Sequence, residues 1–124
     1  MLEGDFRRTL VKEFGRRSSR FIWAFDAKFK AGWPDLYWTS FGRSFHGELK
    51  LVKTPTMPRD PWKLADKIQH HTMTALEKAG AEVRFIILHA PPRGQKFVHY
   101  YATTIDTPTI YTYEEFIRWW RFAW

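Results

Sequence analysis

Asp35, Glu48 and Lys50 are the residues of this 124-residue chain whose types and spacing could do chemistry. Glu48 and Lys50 stand two apart, so on a strand they share a face. Asp35 follows Pro34, whose fixed backbone angle suits a turn, and it opens the segment ahead of the Glu48-Leu49-Lys50 run. If those two segments pair as a hairpin, the carboxylates of Asp35 and Glu48 meet. Two carboxylates held together repel unless a cation lies between them, and hard oxygen donors suit Mg²⁺ or Mn²⁺. Such an ion binds a phosphate oxygen and acidifies water. Lys50 beside it would orient that water or offset charge building up on the phosphorane. The expected chemistry is phosphodiester hydrolysis. The plainer alternative is a Glu48–Lys50 ion pair on an exposed strand, with Asp35 a simple turn residue.

The elements that must position these groups follow from periodicity. Phe6, Leu10 and Phe14 recur every fourth residue and predict a helix over 2–16, ended by Gly15 and the run 16–19. The aromatic and β-branched stretch 20–26 predicts a strand, with a turn at Gly32 and Pro34. A short strand over 36–39 and a loop over 41–44 lead into a strand over 45–53. Along it, Phe45, Gly47, Leu49 and Leu51 take one face, and His46, Glu48, Lys50 and Val52 the other. The three prolines of 54–62 mark a rigid loop. A helix over 63–79 would bury Leu64, Ile68, Ala75 and Leu76 and close at Gly80. Strands over 83–89 and 97–103 follow, the first apolar enough to be buried on both faces. Thr112 and Glu115 form a capping box for a last helix over 113–123. The expected architecture is an α/β (α+β) fold, a central mixed sheet flanked by helices in the order α-β-β-β-α-β-β-α, in a single domain over 1–124. Its core would span about 1–103, with an aromatic C-terminal helix over about 112–124.

Composition limits what such a site could serve. The chain has no cysteine, which excludes disulfides, thiolate metal sites and a thiol nucleophile. Its five histidines lack metal-ligand spacing; His70 and His71 are adjacent and diverge by about 100° on a helix. No apolar run approaches the ~18 residues of a membrane span, and 1–10 lacks a secretory apolar core. The expected location is therefore the cytoplasm, or the host cytoplasm if a phage encodes the chain. Net charge is +7, and aromatics make up 19% of residues with seven Trp. That combination suits a polyanion with bases to stack on.

Gly32-x-Pro34-Asp35-Leu36 followed by Glu48-Leu49-Lys50 resembles the PD-(D/E)xK nuclease superfamily. The loop, the helix bearing Gln69 and the 79–83 run into an apolar strand are similar to its VRR-NUC branch of small stand-alone phage and bacterial nucleases. The likeness covers about 1–90. His46-Gly47 departs from it, standing where the family has apolar residues. The resemblance implies a restriction-endonuclease-like core, a Mg²⁺ or Mn²⁺ cofactor, and a further carboxylate on the first helix. Helical phase places Glu3 about 20° from the Phe6–Leu10–Phe14 stripe and Glu13 about 60° from it, which favours Glu3 over Glu13. The implied catalytic set is Glu3, Asp35, Glu48, Lys50 and Gln69. Glu3, Asp35, Glu48 and the Leu49 backbone carbonyl would hold the metal.

Basic residues bracket this set as the walls of a phosphate groove would: Arg7, Arg8, Lys28, Lys30, Lys53, Arg59, Lys63 and Lys67. No base-reading motif is present, so recognition by DNA shape or branching is expected. Phe116, Trp119, Trp120 and Trp124 would cap the core and form a homodimer seam, with base stacking as a further option; a symmetric dimer would set two sites on two strands of a Holliday junction. The expectation is a metal-dependent DNA endonuclease. The alternatives are a non-catalytic DNA-binding protein retaining the nuclease fold, and a structural or inhibitory module that binds through its aromatic tail.

Overall fold

The computed structural model describes residues 3–14, 20–25, 33–65, 67–102 and 107–124. Six strands form one mixed sheet in sequential order: β1 (Arg20–Ala24), β2 (Leu36–Ser40), β3 (Arg43–Val52), β4 (Glu82–His89), β5 (Phe97–Tyr101) and β6 (Thr109–Thr112). All neighbours are antiparallel except β3 and β4, which are parallel. A parallel pair needs a crossover, and α2 (Lys67–Lys78) provides it. Helices α1 (Glu3–Glu13) and α3 (Tyr113–Ala123) complete an α+β fold.

The α1/α3 side is a dense aromatic core. Phe6, Leu10 and Phe14 of α1 meet Leu36, Trp38, Phe45 and Leu49 of the sheet and Phe116 and Trp120 of α3. The capping box at Thr112 and Glu115 opens α3 as expected. Trp120 donates its indole N–H to the Leu10 carbonyl at 2.8 Å, satisfying a polar atom that burial would otherwise penalise. The C-terminal helix is thus built into the core. On the opposite side, Met73 of α2 packs with Val52, Val83, Phe85, Ile87 and Tyr101.

Four expectations need correction. The loop over 41–44 shrinks to Phe41 and Gly42, both with positive φ (50° and 80°), the two-residue turn whose twist matches a hairpin; Arg43 and Ser44 therefore lie in β3. The helix over 63–79 divides. Pro61–Leu64 is a 3₁₀ turn capped by Asp60, and extended Ala65 separates it from α2. That break rotates the buried face to Gln69, Met73 and Leu76, leaving Ile68 56% exposed and Ala75 exposed. Strand β6 is absent from the expected order, although Thr-Ile-Tyr-Thr has the β-branched and aromatic character of a short edge strand. Finally, the first helix ends at Glu13, and β1 and β5 end earlier than read, at Ala24 and Tyr101. The expected stop at Gly15–Ser19, the turn at Gly32 and the end of the strand at Thr103 lie outside the described residues.

Gly80 closes α2 in a left-handed conformation (φ 96°), with Gly80 N–H bonded to Glu77 O and Ala81 N–H to Leu76 O. Gly47 is required for a different reason. A Cβ there would lie 2.6 Å from the buried Trp38 ring, which stacks on Phe45. The unusual glycine before Glu48 therefore makes room for Trp38.

Candidate active site

The β2–β3 hairpin sets the geometry. Register pairs Leu36 with Gly47, so Asp35, just before β2, lies against Glu48. Asp35 is held on both sides: its carbonyl accepts from Phe25 N–H at 2.8 Å, and its Oδ2 accepts from Leu49 N–H at 3.0 Å. Glu48 is buried at 1% exposure on the α2 face. Its Oε1 accepts from Gln69 Nε2 at 3.2 Å. Gln69 reaches it because the sheet-facing stripe of α2 runs through Gln69 and Met73. Glu48 Oε2 is buried with no hydrogen-bond partner.

Burial, then the contact with Asp35 and its charge, pushes the Glu48 carboxyl up to about 10, against the pull of Lys50. Near neutrality the metal-free site thus holds Glu48 as a neutral acid beside Asp35. Glu3, in the first turn of α1, belongs to the same electrostatic group. The residue is exposed overall, but its carboxyl group is partly shielded. That shielding raises its pKa, as does Asp35, whereas Lys50, a hydrogen bond from the Leu51 backbone and Arg7 lower it. Lys50 is half-buried and acts on both Glu3 and Glu48. Arg7 lies 4.0 Å from Asp35.

Asp35, Glu48 and Gln69 are therefore in contact, with Glu3, Lys50 and Arg7 around them. Glu13, the other carboxylate considered on α1, is turned away and bonds Arg121 of α3 at 2.8 Å. Among the described residues no group of three or more acidic or histidine side chains is drawn tightly enough to hold an ion. A divalent cation still fits the chemistry of the pair. A buried Glu48 oxygen that receives no donor and faces the Asp35 carboxylate is stabilised by a positive charge between the two, the proton of the metal-free site or a cation in its place. Leu49, named for its carbonyl, is buried between Glu48 and Lys50.

The expected phosphate contacts divide. Arg7 adjoins the pair, and exposed Arg8 is bound to Asp5. Lys53 and Arg59 are exposed, and exposed Lys63 and Lys67 border a cleft of about 300 Å³ with Trp62 and His70. Lys28 and Lys30 lie outside the described residues. Sequence reading gave no role to His46 or Trp33, which pack edge to face at 5.6 Å beside the site. The clue for His46 was parity, since it shares the Glu48 face of β3. Burial lowers the His46 pKa.

No helix among the described residues is long and apolar enough to cross a membrane. No protein-family model matches the sequence, and no curated protein matches it. Among solved structures, the chain is similar to Hjc, a Holliday junction resolvase from the archaeal hyperthermophile Archaeoglobus fulgidus. That likeness has a TM-score of 0.45 and 13% identity, covering 91% of this chain and 85% of that one.

Proposed function

We propose that the chain is a metal-dependent endonuclease that hydrolyses phosphodiester bonds of DNA, with branched DNA such as a four-way junction as the preferred substrate. The observation that carries this reading is buried Glu48 against part-buried Asp35, with Glu48 Oε2 given no N–H or O–H donor, in a chain of net charge +7. Two such carboxyls stay together only with a proton or a cation between them, and a basic chain brings phosphate to the site.

Asp35 and Glu48 would hold Mg²⁺ or Mn²⁺, with Glu3 and the Leu49 carbonyl as further oxygen donors. When bound, the ion supplies a Lewis acid for a phosphate oxygen and acidifies a nearby water. The protein's own groups do the rest. Leu49 N–H fixes the Asp35 carboxylate, and Gln69 fixes one oxygen of Glu48 so that the other stays free. Lys50 orients the attacking water and offsets charge on the phosphate in flight. Arg7 neutralises the approaching phosphate backbone. A homodimer, with one site for each of two opposed strands, is the assembly that suits a branched substrate.

The test is cleavage of a four-way junction, a plain duplex and single-stranded DNA with Mg²⁺, Mn²⁺ or EDTA. Wild-type protein should cut with either metal and not in EDTA, and Asp35→Asn and Lys50→Ala should abolish the cuts. Binding without cutting under every condition would make the chain a DNA-binding protein that keeps the fold.

A further inference from the structure

The sheet face that carries Glu48 is unevenly covered. Over β3–β5 it is closed by α2. Over β1–β2 no buried cluster forms on that face among the described residues, and Phe21 and Trp23 stand 52% and 57% exposed. The opposite side of β1 is the covered one, since Ile22 and Ala24 pack against the core. Register then lines up a row. Trp23 pairs with Tyr37, and Tyr37 with His46. Directly opposed residues share a face, so Trp23, Tyr37 and His46 run across three strands on one side. Tyr37 and His46 touch with ring centroids 5.1 Å apart. His46 is two residues from Glu48. At about 4.8 Å per strand and about 7 Å per residue pair, the backbone of Trp23 lies roughly 8 Å from that of Asp35 and roughly 12 Å from that of Glu48.

An aromatic row that is exposed at Trp23 and half-buried at Tyr37 and His46, where Trp33 packs against its inner end, leads to two carboxylates flanked by Arg7 and Lys50 and asks for a ligand that is both flat and anionic. A second copy of the chain fits poorly. Two aromatic side chains of 150–250 Å² each, half exposed, offer about 250 Å², against about 800 Å² per partner in a stable interface. The row is also narrow, because Phe21 pairs with Thr39 and Thr39 with Ser44. A duplex fits poorly too, since its bases are stacked on both faces and offer none to Trp23. Unpaired nucleotides meet both demands, with bases for the rings and phosphates for the cations.

We propose that Trp23, aided by Phe21, is a stacking platform for unpaired nucleotides beside the scissile phosphate, so that the preferred substrate carries a single-stranded or splayed segment next to the cut. This rests on the nuclease reading above and, within branched DNA, favours branches that carry unpaired nucleotides over a fully paired four-way junction. The experiment compares a plain duplex with a splayed fork carrying 2-aminopurine at the unpaired position beside the branch. Binding is read in EDTA for wild type, Trp23→Ala and Trp23→Phe, and cutting separately with Mn²⁺. Wild type should prefer the fork and quench the 2-aminopurine. Trp23→Ala should lose roughly tenfold in fork affinity and the quenching, with duplex affinity unchanged, and Trp23→Phe should restore most of both. Equal wild-type affinity for fork and duplex, or equal losses on both in Trp23→Ala, would overturn the platform. So would a dimer in sedimentation that Trp23→Ala splits, since the row would then belong to a second copy. Cutting without fork preference removes the platform alone, and fork preference without any cutting removes the nuclease reading alone.

Discussion

The two faces of the sheet use the same residue types to opposite ends. On the α1/α3 face, Trp38, Phe45, Phe6, Phe14, Phe116 and Trp120 are all at 0–1% exposure and interlock ring against ring. On the other face, among the described residues, α2 packs over β3–β5, and buried Glu48 with part-buried Asp35 lies on the same side as exposed Trp23 and Phe21. Aromatic richness alone therefore does not mark a binding surface. What separates core from candidate site is whether a helix lies over the row, and whether charged groups sit at its end.

The sharpest break in this comparison comes from the site. Asp35→Asn should lower metal-dependent cleavage on the order of 1,000-fold or more while leaving the metal-free fold intact, because the Asn oxygen can still accept from Leu49 N–H. Thermal unfolding beside single-turnover cleavage checks both halves. The matching break on the covered face is Trp120→Ala. It should cost about 3–5 kcal/mol, since it opens a cavity between Phe14, Trp38 and Phe116 and leaves the Leu10 carbonyl with Phe14 N–H in place of two donors. Denaturant unfolding measures it.

Much of this contrast was legible in the sequence, for reasons of range. Period-two alternation assigned the faces of β3, and a hairpin is a short-range pairing, so Asp35 and Glu48 could be predicted to meet. Helical phase distinguished Glu3 from Glu13, because the Phe6 stripe is itself local. Three things were not legible. The buried face of α2 depended on a break at Ala65 that no apolar repeat records. Glu13's bond to Arg121 joins residues 108 positions apart. The exposure of Phe21 and Trp23 among the described residues depends on which element packs over β1, so nothing in their spacing separates exposed aromatics from core ones.

Smaller perturbations sharpen the same account. Gly47→Ala should cost about 1–3 kcal/mol by driving a Cβ into the Trp38 ring, and calorimetric unfolding should register it. Metal-free stability should also depend on pH. The folded Glu48 carboxyl, pushed up to about 10 from an ordinary 4.5, holds a proton that the unfolded chain has already released. Its contribution is full below pH 4.5 and is lost as pH rises towards 10, and Glu3 is shifted in the same direction. The melting temperature of wild type should therefore fall from pH 7 to 9 relative to Glu48→Gln, a window above the range where His46 and His99, shifted down by burial, take up protons. Smallest of all, Arg121→Ala removes a partly exposed ion pair between α3 and α1 and should cost under about 1 kcal/mol, read by denaturant unfolding.

The central claim is that the Asp35–Glu48 pair exists to hold a cation. Its most direct test is calorimetric titration of Mn²⁺ into metal-free wild type and Glu48→Gln, with melting temperatures taken at saturation. The account predicts saturable binding and a raised melting temperature in the wild type, both lost in Glu48→Gln although that variant is folded. Absence of binding in the wild type, or equal binding in the two proteins, would contradict it.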